Sequence, residues 1–68
     1  MDLTTAKRLT RGSRAYGWVR STWAEGWRQC PKCKCQIVGT GHGWGDLYAR
    51  SVNAAIDTAM IEHLTKEH

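Results

Sequence analysis

The chain has no phenylalanine, one proline and only six acidic residues, and no apolar run is long enough to cross a bilayer. Without phenylalanine, the aromatic packing falls mostly to four tryptophans, at positions 18, 23, 27 and 44. The opening residues Met1-Asp2-Leu3-Thr4-Thr5 hold no apolar stretch of the secretory kind. Three cysteines, an odd number, fit a disulfide framework poorly. Reduced thiols in a cytoplasmic setting, clustered for metal, are the expectation, with no membrane partner. The 68 residues leave room for one domain, and a core of that size supplies only ~3–5 kcal/mol, so a staple is needed.

Charge is unevenly spread. Residues 1–34 carry eight Lys/Arg against two acids, a balance of +6, and residues 35–68 carry two against four, a balance of −2. A basic half joined to a mildly acidic half points to a polyanion partner for the first.

Residues 3–11 fit a short helix with Asp2 as N-cap. Gly12-Ser13 is expected to interrupt it, with Ser13 capping a further turn through Tyr16 and Gly17 ending that turn. This basic N-terminal arm, residues 1–17, has few apolar positions and is expected to be loose. Trp18-Val19-Arg20 and Trp27-Arg28-Gln29 have strand composition, and the turn between them ends at Gly26. Cys35-Gln36-Ile37-Val38 forms a third extended piece. The alternating glycines 39, 41, 43 and 45 predict a loop. Asp46 is then placed to cap a helix from Leu47 to about Lys66. On that helix Tyr48, Val52, Ala55, Ile56, Ala59, Met60 and His63 share one face, which is expected to lie on the hairpin.

The chemistry concentrates at Cys30-Pro31-Lys32-Cys33 and at His63-x4-His68. A C-x2-C turn aims two thiolates at one point, and two histidines on a helix end complete a tetrahedral Cys/His set for structural Zn2+. Two obstacles accompany this set of Cys30, Cys33, His63 and His68. Helical residues five apart are turned by about 140°, so the helix has to loosen before His68. The 29 residues between Cys33 and His63 also make a long excursion, which the glycine loop and extra helical turns absorb. Alternatives are a three-cysteine set with Cys35, a set using His42, and metal-free thiols. Cys35 otherwise fits a small buried apolar residue. The C-terminal run is H-x3-E-H, not a metalloprotease motif, and four protein ligands leave no open position for water, so no enzymatic activity is expected.

Arg11, Arg14, Arg20, Arg28, Lys32 and Lys34 surround the hairpin and knuckle and form a candidate phosphate-binding surface. Trp23 in the turn and Trp44 in the loop are candidates for stacking on bases or for anchoring a protein partner, while Trp18 and Trp27 are expected in the core. The glycines are not a G-x-G-x-x-G phosphate loop, and Asp46 would repel an anion there, so they are expected to be a plain connector.

The segments Trp27-Arg-Gln-Cys30-Pro-Lys-Cys33 and His63-Leu-Thr-Lys-Glu-His68 resemble a Cys2His2-type zinc finger over about residues 27–68. Gly17-Trp18, a turn and a strand entering C-P-x-C are similar to small zinc proteins of actinobacteria and their phages. The resemblance implies a ββα unit, structural zinc and DNA binding. The usual finger has about twelve residues between its ligand pairs. In Asp46–Val52 only Arg50 suits a guanine edge, so the family's base-reading positions are not carried over.

Together these features predict a small zinc-stabilised α+β unit: the arm, then a hairpin-knuckle-helix domain over residues 18–68. The leading function is a nucleic-acid-binding module, with docking on a protein partner as the rival.

Overall fold

In the computed structural model, residues 1–20, 25–43 and 46–68 are described, with Tyr16, Trp18, Val19, Arg20 and Asp46 described by backbone alone. The fold is α+β, as the sequence predicts. It runs α1 (Leu3–Ser13), a 3-10 turn (Arg14–Tyr16), β1 (Gly17–Arg20), β2 (Glu25–Gln29), β3 (Gln36–Thr40) and α2 (Asp46–Glu67).

Asp2 starts α1 by accepting the Thr5 N–H at 3.2 Å, which satisfies one of the helix's orphan donors. Gly12-Ser13 does not break this helix. Ser13 Oγ donates to the Thr10 carbonyl at 2.6 Å, and the Arg14 N–H bonds to the Arg11 carbonyl. Ser13 therefore closes its own helix and makes no side-chain cap for the turn that follows. The arm is docked rather than loose. Ala6, Thr10 and Ser13, at i, i+4 and i+7, are buried, and Ala6 joins Cys30, Met60 and Leu64 in one core cluster.

The strands form an antiparallel meander in the order β1-β2-β3. Trp27 pairs with Trp18 and Val38, Arg28 with Gly17 and Ile37, and Gly26 with Gly39. Gly26, Arg28 and Gly39 are buried, whereas Val38 is 47% exposed. Successive residues alternate faces, so Gly26, Arg28, Ile37 and Gly39 face the helices. Trp27 stands on the opposite face beside Val38, which overturns its expected place under the helix. Among the described residues the buried hydrophobic side chains include no aromatic ring, and Val52, Ile56, Met60 and Leu64 follow at successive i+4 steps along α2.

α2 approaches the end of the sheet closely, along β3 and the residues after it. A Cβ at Gly39 would lie 2.6 Å from Ile56 Cγ1 and 2.8 Å from Ile56 N. One at Gly41 would lie 2.6 Å from Val52 N, and one at Gly43 would lie 3.1 Å from Tyr48 N. Two strand residues advance ~6.6 Å, close to the ~5.4 Å pitch of the helix. Gly39, Gly41 and Gly43, at every second position, therefore meet successive turns of α2. The glycine stretch is a seat for the helix, and its first two residues, Gly39 and Thr40, belong to β3. This corrects the reading of a plain loop over residues 39–43, while Trp44 and Gly45 lie outside the described residues. Asp46 is the first residue of α2 rather than the residue before it.

Arg28 ties three elements together from a side chain only 1% exposed. Its Nη1 donates to Asp57 Oδ1 at 2.5 Å and its Nη2 to Asn53 Oδ1 at 3.0 Å, both on α2. A longer contact, 3.5 Å, reaches the Thr10 carbonyl of α1. Arg14 pairs with the same Asp57. Burial alone would raise the Asp57 carboxyl, but the hydrogen bonds and charges of Arg14 and Arg28 outweigh it and hold it below its ordinary value.

The glycines make opposite predictions. Gly39→Ala should destabilise the fold by about 1–3 kcal/mol, because the new methyl meets helix backbone that has to move away. Gly12→Ala meets nothing within 4 Å, and in a helix it should stabilise by about 0.5–1 kcal/mol. Chemical denaturation of the two variants checks both signs, and equal effects would contradict the seat.

Candidate metal centre and basic surface

The knuckle follows β2 directly. The Cys30 N–H donates to the Cys35 carbonyl at 2.8 Å, and the Lys34 N–H to the Cys30 carbonyl at 2.9 Å. This reversal places Lys34 at φ 63°. The left-handed region costs a residue with a Cβ roughly 1–2 kcal/mol.

At the other end of the chain, the glycine seat fixes the axial position of α2. Ile56 lies over Gly39, Met60 enters the core one turn later, and His63 comes next, beside the knuckle. Cys33 Sγ and His63 Nε2 are 3.3 Å apart. The His63 and His68 rings meet edge to face, with centroids 5.2 Å apart. The donor atoms of Cys30, Cys33, His63 and His68 all lie within 4.8 Å of one another.

A tetrahedral ion with bonds of ~2.3 Å to sulfur and ~2.0–2.1 Å to nitrogen holds its donors roughly 3.3–3.8 Å apart. The four side chains fit such an ion after contractions of no more than about 1–1.5 Å at their widest separation. The difficulty of the five-residue spacing is solved at the helix end. The α-helix is regular through Glu67, and His68 alone leaves it. The centre is asymmetric in burial. Cys30 is 1% exposed and anchored in the core, His63 is half-buried, and Cys33 and His68 are exposed.

Neither alternative ligand joins this cluster. Cys35 is exposed, not buried as expected, because it sits where the chain leaves the knuckle for β3. His42 is exposed too, and its backbone N–H donates to Ser51 Oγ at 3.0 Å.

The candidate phosphate-binding residues separate into different groups. Arg11, Lys32 and Lys34 are exposed. Arg14 is 53% exposed but pinned to Asp57. Arg28 is removed from the set, since its guanidinium is buried against Asp57 and Asn53 and reaches no solvent ligand. The side chain of Arg20, together with Trp23 and Trp44, lies outside the described residues.

Two cations absent from that set, Lys7 and Arg8, are exposed on α1. Lys7, Arg8 and Arg11 form the outer face of a helix whose inner face is Ala6, Thr10 and Ser13, and α1 itself holds no acid. The signal was present as i, i+4 spacing of Lys7 and Arg11, but it has meaning only once the arm is known to be docked. On α2 two acids are already engaged, Asp57 by Arg14 and Arg28, and Glu62 by Lys66.

No family model, characterised protein or solved structure matches this chain. No described helix is long and apolar enough to cross a membrane.

The metal-site geometry predicts a division among its ligands. Cys33→Ser and His68→Ala remove exposed donors and should weaken divalent-metal affinity beyond the roughly 10–100-fold loss typical when only a hydrogen-bond partner of a ligand is removed. Cys30→Ser should also loosen the core, because Cys30 packs with Ala6, Met60 and Leu64. Metal titration with thermal melts of all three variants reads both effects, and wild-type affinity in Cys33→Ser would remove that residue from the centre.

Proposed function

We propose that this chain is a small structural-zinc module that binds nucleic acid through its phosphate backbone, using the outer face of α1 and the knuckle. Zinc suits two thiolates and two imidazoles in a tetrahedron. Cys30, Cys33, His63 and His68 would hold it, and the bound ion would join the knuckle to the end of α2. Four protein ligands leave no position for an activated water, which favours a structural over a catalytic role. Reduced thiols of this kind suit a cytoplasmic setting.

The observation that carries the binding reading is the pattern of ion pairing. Lys7, Arg8, Arg11, Lys32 and Lys34 are exposed and form none of the ion pairs seen among the described residues, whereas Arg14, Arg28 and Lys66 are paired. Uncompensated cations on one helix and its neighbouring turn favour contact with a polyanion, and such contacts position a backbone without reading sequence. This moves the surface from the hairpin, where the sequence alone would put it, to α1. A second reading, docking on a protein, is favoured by the outer sheet face, where Val38 is 47% exposed beside Trp27.

Salt separates the two readings. Lys7→Glu combined with Arg11→Glu should weaken oligonucleotide binding at least tenfold and reduce the slope of log affinity against log salt by about one unit per cation lost. Metal content should be unchanged. Undiminished binding in the double variant, or affinity indifferent to salt, would contradict the phosphate-backbone reading.

A further inference from the structure

Between α1 and the knuckle lies an open cleft of about 440 Å³. Leu9, Gly12 and Pro31 line it with apolar surface, Arg8 and Lys34 each bring a cation to the lining, and Ser13, Gln29 and Cys30 complete it. Its volume falls within the range of small-ligand sites, ~300–1,000 Å³. None of the ion pairs among the described residues uses Arg8 or Lys34. Gln29 is exposed, and no hydrogen bond of its side chain is seen.

Lys34 supplies the second observation. The knuckle requires a left-handed residue at this position to return the chain from Cys30 to Cys35. Glycine meets that requirement without strain, and the turn itself has no use for a side chain. A lysine here accepts strain and brings an ammonium to the lining of a cleft that an arginine also lines. Strain of this kind, held where a charged group faces a cleft, is a pointer to ligand binding.

We propose that the cleft takes one nucleotide of a single strand, with its phosphate between Arg8 and Lys34 and its base against Leu9, Gly12 and Pro31. This rests on the nucleic-acid reading above and narrows it. Two cations match the charge of a phosphodiester and its neighbour. The apolar lining, with no side chain at Gly12, suits the face of a base, and the Gln29 amide offers a donor and an acceptor to a base edge. A base stacked inside a duplex cannot reach such a surface, whereas a single strand splays its bases out.

The discriminating variant is Lys34→Gly, which removes the ammonium and relieves the backbone. Titration of the metal-loaded protein with a short mixed-sequence single strand, as DNA and as RNA, should shift the amide resonances of Gly12 and Gln29. Lys34→Gly should weaken single-strand binding about tenfold while its melting temperature holds or rises, and Arg8→Gln should weaken it similarly. If Lys34→Gly binds the single strand like wild type while Lys7→Glu/Arg11→Glu loses it, the cleft proposal is overturned and the α1 surface stands. Equal affinity for the single strand and its duplex, without shifts at Gly12 and Gln29, also overturns the cleft. Failure of the wild-type protein to bind any of these oligonucleotides overturns both readings.

Discussion

Two thiols and two imidazoles converge at one end of α2, and the rest of the chain is arranged around that convergence. Its partners are separated by 29 residues, so local geometry cannot bring them together. Register does it. The glycines of β3 and the segment after it set α2 at a fixed axial position, one turn per second residue, and His63 arrives beside Cys33 as a consequence. Arg28 fixes the same helix from the side through Asp57 and Asn53, and reaches α1 as well. Cys30 belongs to both systems, as a donor of the centre and a member of the core cluster. A metal bound there would act on a site whose parts are already held near one another, and its binding energy would be shared with folding.

The same packing divides the basic residues by role. A buried guanidinium without its carboxylate would be strongly destabilising, so Arg28 and Asp57 form one structural unit. Arg14 joins it from the surface. The cations left over lie on the outer face of α1 and on the knuckle, two elements made neighbours by the docking of Ala6 against Cys30. Net charge alone does not distinguish the two groups, but burial does. The cleft between these elements brings Arg8 and Lys34 to one place.

Much of this was legible in the residues. The C-x2-C turn and the paired histidines announced the donor set. Asp2 announced the start of α1, and the i+4 rhythm from Val52 to Met60 announced the buried face of α2. Three features were hidden for definite reasons. Alternating glycines look like a loop in one dimension, and only the helix lying on them reveals that they are needed for the absence of side chains. Arg28 looks like any surface arginine until Asp57 and Asn53, one helical turn apart, are brought across from α2. The docking of α1 depends on Ala6, Thr10 and Ser13, small or polar residues with little hydrophobic signal. Trp27 was misplaced because strand alternation turns its neighbour Arg28 to the helices and Trp27 to the other face, a choice of register that the residues alone do not reveal.

Cys30, Cys33, His63 and His68 form a cluster that could hold one metal ion, and the proposed site for that ion is tetrahedral. Titration of the reduced protein with Co2+, followed by visible and near-ultraviolet absorption, tests it most directly, since cobalt reports both coordination geometry and bound thiolate. Saturation at one equivalent is expected, with the intense d–d bands of a tetrahedral site, thiolate-to-cobalt charge transfer, and loss of both when Zn2+ is added. A weak octahedral spectrum, or no saturable binding at all, would contradict it.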